Sequence, residues 1–253
     1  MVNEIRLLGR RALRETIRYP EATIPVLFIP LFFLAVNIGQ VSETFPSSTP
    51  FLNGQGYVAF QLPVSLMFAV ATATSGLALV TEIESGYFDK LLVAPIHRAS
   101  IIYGRLVADF ARGVGGATLV LLAGIAFGAH VEAGILGAIV LVVLAALFGV
   151  AYAGFGTLIA LRTRNVQATN TSFLIFFPLL FLTPNFVPFD LLTPLMETLA
   201  RINPVSYVIV GLRSLIIDGW EWDQLAACAA VIAGMGALLT FLSLRAIRDY
   251  DRD

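Results

Sequence analysis

Residues 82–105 read EIESGYFDKLLVAPIHRASIIYGR, a polar stretch set between two long apolar runs, and the nature of those runs decides the fold. On one side 58–80 carries no charged residue; on the other 106–127 carries only Asp109 and Arg112. Each is long enough to cross roughly 30 Å of hydrocarbon at about 1.5 Å per residue. Working outward, comparable windows recur at 22–38, 135–161, 168–189 and 225–244, which predicts six transmembrane helices. The window 22–38 is the shortest and contains Pro25 and Pro30. Hydrophobic residues make up 58% of the 253 and charged ones 13%, far from a globular mix. The chain reads as an all-α membrane protein, with 1–253 forming one transmembrane domain.

Arginine and lysine are retained on the cytoplasmic side of a membrane, whereas acidic residues count for little. All but two of the 16 basic residues fall before the first span, between or just inside the second and third, between the fourth and fifth, or after the sixth. The exceptions are Arg201 and Arg213. Both termini are therefore predicted to be cytoplasmic. The apolar segment 204–217 is too short for a seventh crossing, reaching about 21 Å as a helix, and would contain Arg213. It reads as part of one or two short helices over 191–217 that dip into the outer leaflet, with Asn203 as N-cap and Pro204 in the first turn. Within 3–19, Arg6, Arg10 and Arg14 repeat every four residues, away from Ile5, Leu8, Ala12 and Leu13. That pattern predicts an amphipathic helix along the inner surface, its arginines toward anionic headgroups. Charges of both signs in the first twenty residues, without a clean cleavage pattern, argue against a removed signal peptide.

Catalytic motifs are missing. A P-loop needs a glycine-rich turn followed by lysine and a hydroxyl residue, and the only lysine, Lys90, follows Tyr87, Phe88 and Asp89. Gly154 and Gly156 lack the rest of a dinucleotide fingerprint, so packing between spans accounts for them better. His97 and His130 fall on opposite sides of the membrane and cannot share a metal, so no metal site or catalytic set is expected. Asp109, three residues before Arg112, is expected to form an intramembrane ion pair with it. Cys228 reads as a small packing residue of the sixth span.

At this point the residues resemble a family. Glu82-x-Glu84-x-Gly86-x-x-Asp89-Lys90-Leu91-Leu92-x-x-Pro95, then Gly104-Arg105 and Asp109-x-x-Arg112, looks like the region between spans two and three of type-2 ATP-binding-cassette export permeases. Asn203-Pro204-Val205-Ser206-Tyr207 with Gly211-Leu212-Arg213 is similar to that family's segment before the last span. The resemblance implies that 82–92 forms a coupling helix docked on a separate P-loop ATPase subunit through Glu82, Glu84, Gly86, Phe88, Asp89, Lys90, Leu91 and Leu92. In that arrangement Glu82 and Glu84 would sit at the helix's positive end, Phe88, Leu91 and Leu92 would face a groove, and Pro95 would end the element. The partner, not this chain, would bind ATP and magnesium. Many members carry a carboxylate where this sequence has Val208, Ile209 and Val210, so no role of that acid transfers.

Six spans make half of a translocation pathway, which implies a dimer with itself or with a similar permease. Ala226, Ala230 and Gly234, and Gly124 with Gly128, could form close contacts within or between subunits. Trp220 and Trp222 suit the outer headgroup region. Polar residues within spans, Thr72, Thr74, Ser75, Asn170, Thr171 and Ser172, are candidate pathway residues, although such hydroxyls more often bond to their own helix. The expected function is export of a hydrophobic or amphipathic compound, drug-like or lipid, from a bacterial inner membrane, with glycan export as the nearest rival. A membrane-embedded enzyme or a passive channel stays open on the residues alone.

Overall fold

The computed structural model describes residues 2–18, 20–71, 76–93 and 97–250; Thr72, Thr74, Ser75 and Pro95 lie outside the described residues. Among the described residues all regular structure is helical. Helix α1 (Val2–Arg18) is followed by α2 (Pro20–Val41), α3 (Tyr57–Ala71), α4 (Gly76–Glu84) and the short α5 (Tyr87–Val93). Next come α6 (Arg98–Ala126), α7 (Gly134–Thr163), α8 (Val166–Phe181), the short pair α9 (Pro194–Ile202) and α10 (Pro204–Ile217), and α11 (Trp222–Asp249).

By length and composition, four helical stretches could each cross a membrane: Tyr57–Glu84, Arg98–Ala126, Gly134–Thr163 and Trp222–Asp249. Among the described residues a fifth is counted if α9 and α10, which meet at 89°, form one span. The other two apolar windows fall on shorter helices. Window 168–189 is cut back, because α8 stops at Phe181 three residues after its internal Pro178, and Phe189 begins a separate 3-10 turn. The chain is thus a multi-pass membrane protein.

Hydrogen bonds sort the connections onto two ends of the bundle. At one end Arg11 meets Glu82, Ser100 meets Glu4, and Arg164 Nη2 donates to the Tyr250 carbonyl at 2.9 Å. At the other, Asn53 Nδ2 donates to Asp218, Gln55 Nε2 donates to the Ile216 carbonyl, and the Glu132 amide donates to the same carbonyl at 3.0 Å. Tyr57 hydroxyl and Gln61 reach Phe186 and Asn185 near this second end.

Helix α10 forms as its sequence requires. Asn203 caps it by accepting from the Val205 amide at 3.0 Å, while its side-chain amide donates to the Leu179 and Leu182 carbonyls. Pro204 opens the first turn, and Gly219, at φ +93°, turns the chain after Asp218. Arg213, inside α10, is buried with its Nε donating to the Phe60 carbonyl at 3.2 Å and its guanidinium 3.5 Å from the Phe60 ring centroid.

The core has two parts. The larger surrounds α3, whose residues are buried along its whole length. The smaller sits at the first end, where Leu79, Ile83, Phe88, Ile101, Leu161 and Ile247 come together. Glycines set the closest approaches. A Cβ on Gly76 would stand 2.7 Å from the Gly156 carbonyl carbon, and one on Gly154 would stand 2.9 Å from the Leu239 Cβ. Gly124 lies against Leu62 of the same chain, whereas Gly128, at φ +97°, is in an open turn. Ala226, Ala230 and Gly234 are exposed along α11, so they do not pack within this chain.

Candidate functional site

The polar stretch around Gly86 folds into an elbow rather than one helix. Gly86 adopts φ +69°, a left-handed conformation that glycine takes without the Cβ penalty, and this ends α4 and starts α5. The single helix over 82–92 is therefore corrected to two. Glu82 and Glu84 lie in the last turn of α4, its negative end, and not at the positive end of a coupling helix.

Glu82 is the centre of a clasp. One carboxylate oxygen accepts from Arg11 Nη2 at 3.1 Å and the other from Arg105 Nη2, joining α1, α4 and α6. The Glu82 side chain is 15% exposed and that of Arg105 11%. A carboxylate so enclosed holds elements together and offers little to a partner. Arg11 also lies over Tyr87 of α5, 4.3 Å from its ring centroid. The amphipathic α1 thus packs along α6, with Gly9 and Gly104 allowing the approach. Arg6 and Arg10 stay exposed, as the periodicity predicts.

Glu4 ties the N-terminal helix to the start of α6. Its carboxylate accepts from the Ser100 hydroxyl at 2.7 Å and from the His97 amide at 3.2 Å. Hydrogen bonding, that from the Ser100 hydroxyl foremost and the N-terminal amino group next, lowers its pKa to about 2.

Phe88 points inward. It is fully buried, edge-on to Tyr250 with ring centroids 5.0 Å apart, so it cannot fill a partner's groove. Leu91 and Leu92 are half-buried against the smaller core. The solvent-facing ledge of the elbow consists of Glu84, Tyr87, Asp89, Lys90 and Val93, the last 85% exposed. Glu84 also accepts from the Val166 amide at 3.3 Å, at the first turn of α8. Tyr250, the residue beneath the elbow, carries no signal in the sequence that would pair it with Phe88.

The remaining candidates are dispersed. Asp109 and Arg112 bond to each other on α6, with Asp109 buried. On α8, Thr171 hydroxyl donates to the Gln167 carbonyl and Ser172 hydroxyl to the Thr169 carbonyl, while Asn170 is exposed. Ser172 is buried, and its own carbonyl accepts from the Tyr152 hydroxyl. Trp220 and Trp222 stack at 5.3 Å, and Trp222 is exposed. No cluster of three or more His, Cys, Asp or Glu residues suited to a metal occurs among the described residues.

The family described as ABC-2 type transporter matches residues 3–217, which takes in the clasp, the elbow and the α9–α10 pair. The chain belongs to the ABC-2 type transporter family. Among relatives of this ABC-2 permease is the daunorubicin resistance ABC transporter permease protein DrrB1 of Streptomyces coeruleorubidus. The two are 25% identical over 242 residues, 94% of this chain and 84% of that protein. The probable doxorubicin resistance ABC transporter permease protein DrrC of Mycobacterium tuberculosis is 24% identical over 160 residues, 62% of this chain and 58% of that protein. A putative transport permease, ycf38, of Cyanophora paradoxa is 24% identical over 218 residues, covering 85% and 74%.

Proposed function

We propose that this chain is the membrane half of an ATP-driven exporter that moves hydrophobic or amphipathic compounds, drug-like or lipid, out of the cell. A separate P-loop ATPase subunit, which binds ATP and magnesium, docks on the ledge of α5. Support comes chiefly from one observation: an exposed ledge, Tyr87 to Val93, is mounted on a clasped and buried base, so that a push on it is transmitted and not absorbed. The drug-resistance permeases among the relatives favour export and a drug-like cargo.

In this reading α2 and α8 complete six crossings. Both termini and the elbow face the cytoplasm, where the arginine-rich connections belong. The α9–α10 pair leaves and returns to the outer end, and two such permeases form the pathway. Asn170 and Thr171 of α8 are placed to line it, and the Asp109–Arg112 pair lies near its inner mouth. Export of a glycan is the rival reading, and it would need a wide aromatic-lined tunnel.

Co-purification of the permease with its ATPase subunit tests the docking. Lys90→Glu and Val93→Asp are expected to reduce capture while the protein stays folded; equal capture by both variants removes the ledge from the interface.

A further inference from the structure

Where the turn after α7 meets the last turns of α11, the surface carries a half-open groove of about 420 Å³ lined in part by the exposed Arg162, Arg164 and Arg245. A second groove of about 440 Å³ shares Arg245, adds Arg248, and is walled by Phe241 and Leu244. Among the described residues that line the two, the charged ones are four arginines and one carboxylate, Asp249. Local chain geometry creates this crowding. Arg164 sits at φ +51°, the left-handed cap that ends α7, which brings it beside α11 instead of continuing the helix. Its guanidinium lies 4.1 Å from the Tyr250 ring centroid.

Polarity is layered along α11. Phe241 precedes Arg245 by one turn, and Leu244 precedes Arg248 by one turn, so each apolar side chain shares a face with an arginine. Leu238 and Phe241 are 58% and 61% exposed, and Leu238 lies roughly 10 Å along the helix from Arg245. An exposed hydrocarbon surface leading directly into an arginine-lined groove has the order of acyl chain and headgroup in one leaflet.

We propose that these two adjoining grooves seat the phosphodiester headgroup of an anionic membrane lipid, with its acyl chains along Leu238, Phe241 and Leu244. Guanidinium groups match phosphate oxygens in geometry and carry the charge at any physiological pH. A basic recess between helices at the inner membrane boundary is suited to such a headgroup. The site's place in the inner leaflet rests on the orientation proposed above; its chemistry does not. Occupancy also reaches the docking ledge, since Arg164 lies over Tyr250, whose ring packs on Phe88 and whose hydroxyl lies 3.4 Å from Asp89.

Native mass spectrometry of the full chain with added phosphatidylglycerol, phosphatidylethanolamine or inorganic phosphate tests the assignment without any ATPase subunit. A failure here therefore leaves the docking proposal untouched. Phosphatidylglycerol is expected to be retained in preference to phosphatidylethanolamine. The Arg162→Gln/Arg245→Gln pair should weaken it about fivefold per substitution. The matching lysine pair should restore most of the retention, and Arg201→Gln on α9, an exposed arginine away from the site, should leave it unchanged. Equal loss per substitution from Arg201→Gln, or no loss from the arginine pair in a protein with unaltered melting, overturns the site. Displacement of lipid by millimolar inorganic phosphate would mark a small-anion site and overturn the lipid assignment. Loss of ATPase-subunit capture by the arginine pair in purely zwitterionic nanodiscs would assign the surface to that subunit, with the same consequence.

Discussion

Tyr250, at the end of the last helix, closes edge-on over Phe88 of the elbow, the two ring centroids 5.0 Å apart. Phe88 is fully buried by this contact and its neighbours. Phe88→Ala is therefore expected to cost about 3 kcal/mol of stability, measured by denaturant titration in detergent, because it opens a cavity in the smaller core. Any loss of ATPase-subunit capture by this variant should parallel the loss of folded protein.

Val93 behaves differently, since it faces solvent. Val93→Asp should leave stability within about 0.5 kcal/mol of the parent. It should weaken capture of the ATPase subunit about tenfold, as expected when a charge is placed in a docking contact. A binding titration on folded protein separates the two quantities.

Removing the Glu82 carboxylate leaves Arg105, and with it Arg11, without a shared acceptor. Glu82→Ala is expected to destabilise the protein by about 3 kcal/mol, with α1 the first element to lose amide protection in hydrogen exchange. Glu82→Gln should recover part of the loss, because an amide oxygen still accepts a hydrogen bond.

Glu4 gives the link between α1 and α6 an acid limit. Its folded pKa of about 2 lies below the ordinary 4.5, so its contribution is complete above pH 4.5 and is lost as the pH falls toward 2. Hydrogen exchange of α1 should be flat at neutral pH and rise across that window. Ser100→Ala, which removes the main cause of the depression, should move the rise to higher pH.

Gly86 stands in open space at φ +69°, so an added methyl meets no neighbour and only the backbone conformation opposes it. Gly86→Ala should cost about 1–2 kcal/mol. A β-branched residue at the same place should cost more. Melting curves of the two variants check the order.

The membrane class is legible in the sequence because uncharged runs of such length have no place in a water-soluble fold of this size. The cap at Asn203 is legible for a local reason: asparagine before proline carries its signal in two adjacent residues. The elbow is not, since local and distant effects compete there. The run from Glu82 to Leu92 reads as one helix only if Gly86 is tolerated inside it, yet the left-handed Gly86 divides it, and Phe88 turns inward because Tyr250, near the far end of the chain, provides a ring to cover it. The bond from Arg11 to Glu82 is hidden for a similar reason: periodicity along one helix cannot show a carboxylate supplied by another. Hydropathy overstates the length of α8, where Pro178 and the Asn203 amide, reaching the Leu179 and Leu182 carbonyls, favour a stop before the apolar run declines.

The bare backbone contact between Gly76 and Gly156 leaves no layer of side chains between α4 and α7 that could slide. Enlarging either residue, as in Gly76→Leu, should force the helices apart at a cost of about 1–3 kcal/mol. On the reading proposed above, α4 and α7 move together with the elbow as their handle, and a passage for cargo would open along another seam of the bundle.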